Sequence, residues 1–260
     1  MTGTWEDREA ATRLADSILR NEVTIVGPGT SVEVWCAGHT KQTGVVDRPM
    51  ETCVTATWMK LLYQVLRLTG EPRFADELEK NLYNGLLGAM MPDGSWWAYF
   101  SAPMGDRVPS DMQHADVGLS CCVCNGPRGL MLTPFWAVMT SAEGPVINLC
   151  TPMHAHLSTP GGKPLDLEIT GDYPFSGTAE LRLRPNAPEE FTLTVRIPAW
   201  SQKTDLRVNG HRVYVRPGTY AKMRRLWRPG DKIKVAFDFR GRLLQAPDAN
   251  GCLAVQRGPV

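Results

Sequence analysis

The hydrophobic period of this chain changes once, near residue 145, and that change limits what the chain can fold into. Before it, apolar residues recur every three or four positions; after it, every second position. "WEDREAATRLADSILRN" sets Ala11, Leu14, Ala15 and Ile18 on one helical face. Thr52 to Thr69 repeats the pattern with Val54, Trp58, Leu61, Val65 and Leu68, and Gly70 is placed to end that helix. Pro72 opens a third helix, with Phe74, Leu78, Leu82 and Leu86 as its stripe. A fourth is expected to start near Asn125 and Pro127 and to run through "RGLMLTPFWAVM", with Pro134 kinking it. Between the third and fourth, "DGSWWAYF" reads as a turn and a short strand.

Beyond residue 145, "LDLEITG", "AELRLRP", "FTLTVRIPAW" and "DKIKVAFDF" alternate apolar and polar residues. They are separated by Gly, Pro and Asn turns such as Asn209-Gly210. Strands this dense, with no helix between them, predict an antiparallel β-sandwich. The expected organisation is a multidomain α-then-β chain, with a helical domain over 1–144 and an all-β domain over 145–260. A length of 260 residues suits two domains.

Net charge is +1, but residues 1–145 hold 11 Lys+Arg against 17 Asp+Glu, and residues 146–260 hold 17 against 10. A basic half raises nucleic-acid binding. Its cations, among them Arg182, Arg184, Arg196 and Lys234, alternate along strand-like segments without an accompanying aromatic set, so a solvated sheet face is the expectation and no nucleic-acid partner. No apolar run reaches the ~18 residues of a membrane span, which argues against a membrane partner. The N-terminus has no apolar leader core, and the seven cysteines are odd in number and irregularly spaced, which favours reduced thiols and a cytoplasmic setting.

Three of those cysteines crowd into "GLSCCVCNGPRGL" as Cys121, Cys122 and Cys124. Adjacent cysteines are poorly placed to bridge each other, because a disulfide needs Cβ atoms that face one another. In "RPMETCVTATW", Glu51 and Cys53 would point roughly 200° apart on a regular helix. They converge only if Glu51 precedes the first full turn, and Pro49 with a stripe beginning at Val54 puts the boundary there. Cys121 and Cys122 are likewise expected just before a helix start. One carboxylate and three thiolates would make a tetrahedral set suited to Zn²⁺. Spacing alone leaves this open against cysteines that simply fill a helical core.

"METCVTATWMKLLYQVLRLTG", "FADELEKNLYNGLLGAM", "DGSWWAYF", "HADVGLSCCVCNGPRGL" and "LAVQRGPV", in this order, closely resemble glycoside hydrolase family 127, the β-L-arabinofuranosidase group. The resemblance covers nearly the whole chain. It implies the C-terminal half of an (α/α)6 helical barrel followed by a β-sandwich. It also implies a retaining glycosidase whose zinc is held by Glu51, Cys53, Cys121 and Cys122. Cys121 matches the nucleophile that forms a thioglycosyl-enzyme intermediate, and Glu33 in "TSVEVW" falls where the family has its acid/base glutamate. The implied partner is a small carbohydrate or glycoconjugate substrate.

That chemistry is coherent. A thiolate would replace the usual carboxylate nucleophile, and a second carboxyl group would act as acid and then base. Four protein ligands close a zinc site, so the metal is expected to tune a thiolate rather than to activate water. Trp96, Trp97, Tyr99 and His114 are candidate sugar contacts, although alternate aromatics in a short strand equally suit a core. Cys36, Cys124, Cys150 and Cys252 match no ligand position. Relatives extend beyond both ends of this sequence, so a piece of a longer protein is expected, one that binds zinc without turnover when isolated. The competing class is a non-catalytic, zinc-stabilised structural or carbohydrate-binding module.

Overall fold

The computed structural model describes residues 4–29, 34–35, 37–40, 42–43, 50–109, 120–247 and 252–260. By internal contacts the chain forms two compact units, one comprising Met1–Thr133, Arg242–Gln256 and Val260, the other Pro134–Gly241 and Arg257–Pro259.

The first unit opens with α1 (Trp5–Asn21), capped by Thr4, whose hydroxyl accepts from the Asp7 amide, with Glu6 and Asp7 in the first turn against the helix dipole. Ala15 and Ile18 are buried as the pattern requires, but Leu14 is exposed. Next comes α2 (Thr52–Thr69), closed by Gly70 at φ +66°, a left-handed cap that glycine adopts without a Cβ penalty. Its buried face is Thr55, Ala56, Trp58, Met59, Leu62, Val65 and Leu66; Val54 and Leu61 are only partly buried and Leu68 is exposed.

Pro72 does open α3 (Pro72–Lys80), which continues as a π-helical stretch over Asn81–Leu86 and ends in the short α4 (Leu87–Ala89). Phe74, Leu78, Leu82 and Leu86 stay buried through the change of helix type. Each such side chain is worth about 1.5–3 kcal/mol of burial. The strands β1 (Ala98–Ser101) and β2 (Arg107–Pro109) pair antiparallel, with a register shift between Ala98 and Phe100.

α5 (Cys121–Met131) starts four residues earlier than the sequence predicts, with Ser120 as its N-cap. Pro127 therefore lies inside the helix, where it forgoes one backbone hydrogen bond, rather than at its first turn. Leu132 then interrupts the helix, and α6 (Thr133–Ala137) follows as a separate piece. This break in the helix stands in place of a kink at Pro134.

The second unit holds β3 (Val138–Ser141), β4 (Gly144–Ile147), β5 (Met153–Ser158), β6 (Pro164–Gly171), β7 (Thr178–Pro185) and β8 (Glu189–Ile197). It continues with β9 (Asp205–Val208), β10 (His211–Val213), β11 (Thr219–Trp227) and β12 (Lys232–Ala236). They form two open sheets, a six-stranded one in the order β10-β9-β12-β7-β6-β5 and a four-stranded one in the order β11-β8-β4-β3. Alternation along the strands buries Leu165, Leu167 and Ile169 in β6 and Leu181 and Leu183 in β7. The β9–β10 hairpin turns at Asn209 and Gly210, both at positive φ, as a two-residue turn requires.

Two sequence expectations are corrected here. The pairs are not all antiparallel, because β4 runs parallel to β8, with Val146 opposite Thr194 and Ile147 opposite Val195. Arg182, Arg184 and Lys234 do lie on a solvated face, paired with Glu180 or Glu168. Arg196 does not: it is 2% exposed and its Nε donates to the Asn148 carbonyl at 2.6 Å. The chain finally returns to the first unit as the antiparallel pair of β13 (Arg242–Leu244) and β14 (Ala254–Gln256). No helix among the described residues is long and apolar enough to cross a membrane.

Candidate metal and catalytic centre

Two helix N-termini and one strand build the site. Met50 takes a left-handed φ of +53°, which turns the chain sharply before α2. Glu51 is then extended at the N-cap, and its carbonyl accepts from both the amide and the hydroxyl of Thr55. β1 fastens this turn: Glu51 bridges Phe100, the Ser101 amide donates to the Met50 carbonyl, and the Thr52 hydroxyl donates to the Ala98 carbonyl at 2.7 Å. Glu51 and Cys53 can therefore face one point, as the sequence requires.

Opposite them, Cys121 and Cys122 are the first two residues of α5. One ligand atom from each of Glu51, Cys53, Cys121 and Cys122 lies within 4.8 Å of all the others. Cys53 donates to Cys121 at 2.9 Å between sulfurs and lies 3.4 Å from the Cys122 sulfur. The Asn125 side-chain amide donates to the Cys53 sulfur at 3.2 Å. Glu51 and Cys122 are fully buried; Cys53 and Cys121 are partly so.

The electrostatics at Cys53 pull in opposite directions. The Cys53 thiol is pushed far above its usual range, first by its contact with Cys122 and then by burial, while Cys121 and Asn125 pull the other way. The positive ends of two helix dipoles oppose this, since each favours a thiolate in its first turn.

The donor set fits zinc. Thiolates and carboxylates are both zinc ligands, and Zn–S bonds of about 2.3 Å would set tetrahedral sulfurs about 3.8 Å apart. The observed sulfur separations of 2.9 and 3.4 Å are too long for a disulfide and would have to widen by about 0.9 and 0.4 Å to reach that value.

The other expected site residues fall differently. Trp97 is 4% exposed, and a Cβ on Gly126 would clash with its indole, so its ring packs against α5 instead of facing solvent. Trp96 is 42% exposed. Tyr99 is half-buried and stacks on Phe100 at 4.1 Å. Glu33, His114 and Cys36 lie outside the described residues. Cys124 is exposed, and Cys150 lies buried in the second unit. Asn125 is the site residue that sequence reasoning missed. Its signal is the i, i+4 spacing from Cys121, which becomes visible only when the helix begins at Cys121.

The model of the GH127 β-L-arabinofuranosidase catalytic domain matches residues 1–133, just over half of the chain, and that of the GH127 middle domain matches residues 146–239. The chain belongs to glycoside hydrolase family 127. It is 26% identical over 175 residues to the non-reducing end β-L-arabinofuranosidase of Bifidobacterium longum subsp. longum, a match covering 62% of this chain and 26% of that protein. A solved glycoside hydrolase superposes with a TM-score of 0.77 at 26% identity, over 94% of this chain and 46% of the other. A GH127 β-L-arabinofuranosidase from Geobacillus stearothermophilus T6 gives a TM-score of 0.80 at 23% identity, over 97% of this chain and 42% of the other, and shows the shared fold. The GH127 chain described here thus spans about a quarter of the curated relative and under half of these structures.

Proposed function

We propose that this chain carries the zinc–thiolate centre of a retaining glycoside hydrolase acting on β-L-arabinofuranosides or a closely similar sugar. The observation that carries the reading is the convergence of Glu51, Cys53, Cys121 and Cys122. The helical unit corresponds in this reading to part of an (α/α)6 barrel, and the two open sheets to a β-sandwich.

When bound, zinc supplies positive charge that keeps the surrounding sulfurs as thiolates at neutral pH. Glu51, Cys53 and Cys122 would hold it together with Cys121. The Cys121 thiolate attacks the anomeric carbon, and the bond to the leaving oxygen breaks as Glu33 donates its proton to that oxygen. The Glu33 carboxylate then takes a proton from water, whose oxygen attacks the anomeric carbon and returns the thiolate to Cys121. Two inversions at one carbon retain the configuration. Four protein donors would leave no metal position open, which supports thiolate chemistry over metal-bound water.

The test uses a sugar-mimicking electrophile on the zinc-loaded protein in a chain extended to the full length of its relatives, with the adduct mapped by mass spectrometry. Labelling is expected at Cys121 and is expected to vanish in Cys121→Ser. Labelling at Cys124 would overturn the nucleophile assignment. Zinc bound at about one per chain with no labelling at all would favour the structural-module reading instead.

A further inference from the structure

Three sulfurs meet in one cluster, yet a single one must act as the nucleophile, and the geometry around Cys53 bears on the choice. Among the described residues, an uncharged side chain reaches a ligand sulfur from outside the set: the Asn125 Nδ2–H donates to Cys53 at 3.2 Å. Asn125 stands one turn after Cys121 on α5, whereas Cys53 sits in the first turn of α2. The bond therefore joins the two helices that bring the ligands together. From Cys53 the cluster continues to the Cys121 sulfur at 2.9 Å, so amide, Cys53 and Cys121 stand in one row.

We propose that Asn125 is a positioning residue that fixes Cys53 as a ligand and leaves Cys121 as the reactive sulfur. An N–H directed at a thiolate draws electron density away from it, which weakens that sulfur as a nucleophile without displacing it from a metal. It also fixes the rotamer of Cys53, much as hydrogen bonds to metal-bound side chains set their orientation in other metal sites. The nearly planar amide suits this role because it carries two donors and no charge of its own. A lysine at the same place would compete with the cation. This inference rests on the reading of the cluster as a metal site, and its test separates the two.

Cobalt(II) serves as a spectroscopic substitute for zinc, read through its sulfur-to-metal charge-transfer absorption, and iodoacetamide reports the relative reactivity of Cys53 and Cys121 by mass spectrometry. Asn125→Ala is expected to bind cobalt about 10- to 100-fold more weakly. Its charge-transfer band is expected to move to longer wavelength, and the ratio of Cys53 to Cys121 alkylation to rise several-fold. Asn125→Asp keeps the shape but turns an oxygen toward the sulfur, so it should shift all three readouts at least as far. Asn125→Gln, which retains the amide, should recover part of the loss. If Asn125→Ala does not fold, the aspartate variant decides. Wild-type band position and alkylation ratio in either folded variant would overturn the assignment. Wild-type protein that takes up no cobalt removes the metal reading, and the alkylation ratio in metal-free protein then judges Asn125 alone.

Discussion

Cys124 shares a helix with Cys121 and follows it by three residues, yet its side chain is exposed and stands outside the four-residue cluster. The difference between the neighbouring thiols is positional. Cys121 and Cys122 occupy the first turn of α5, where their sulfurs reach toward Cys53, whereas Cys124 has already rotated toward solvent. Cys124→Ser is therefore expected to keep bound metal and to change stability by no more than about 0.5 kcal/mol. Cys122→Ser, at a fully buried candidate ligand, is expected to abolish metal binding and to cost a large part of the stability of the helical unit. Metal analysis with thermal denaturation of both variants checks this, and metal loss in the Cys124 variant would refute it. At this scale the sequence was half readable. Pro49 and the stripe beginning at Val54 correctly placed Glu51 at a helix boundary. Pro127 misled: it resembles a first-turn proline, but the helix absorbs it internally, so the cysteine pair was expected before the helix instead of within it.

The elements position the site through close approaches of backbone to side chain. On α5, Gly126 receives the Trp97 indole, and a Cβ on Gly129 would press on Leu86 and approach Ala56 of α2. These two glycines, three residues apart, let α5 settle between the strand segment and α2, and so bring Cys121 and Cys122 to Cys53. Gly126→Ala would add a methyl group where the ring lies. Overpacking of this kind costs about 1–3 kcal/mol, which exceeds the helix propensity gained from alanine, about 1 kcal/mol. The variant is expected to unfold at lower urea and to bind metal more weakly. An unchanged urea midpoint would mean that Trp97 is free to move. Periodicity located α2 to the residue but gave only part of its buried face, since Val54, Leu61 and Leu68 offer a second apolar stripe along the same helix. Which stripe meets a neighbour depends on partners far away in sequence. The parallel pairing of β4 with β8 was hidden for the same reason.

For the whole molecule, the two compact units imply that metal binding and stability are coupled unevenly. Glu51, Cys53, Cys121 and Cys122 all belong to the first unit, whose hydrophobic core includes Trp58, Leu62, Phe74, Leu78 and Leu86. The second unit has its own core, with Leu167, Leu181, Leu193, Val195 and Trp227 buried, and Trp227 Nε1 donating to the Phe191 carbonyl at 3.0 Å. A ligand that binds only the native state stabilises it by about 2.7 kcal/mol at a hundred times its Kd. That increment should reach the unit that holds the four candidate ligands. Removing the metal should also leave the crowded sulfurs of the site without a compensating cation, which weakens the same region further. Hydrogen exchange read by mass spectrometry, with and without a strong chelator, should therefore show protection lost across Thr52–Thr69 and Cys121–Met131. Strands Thr178–Pro185 and Glu189–Ile197 should keep theirs. Equal loss in both units would show that the β unit depends on the metal for its own stability. Unchanged protection in both would mean that the cluster holds together without a cation, and the zinc assignment would then fall.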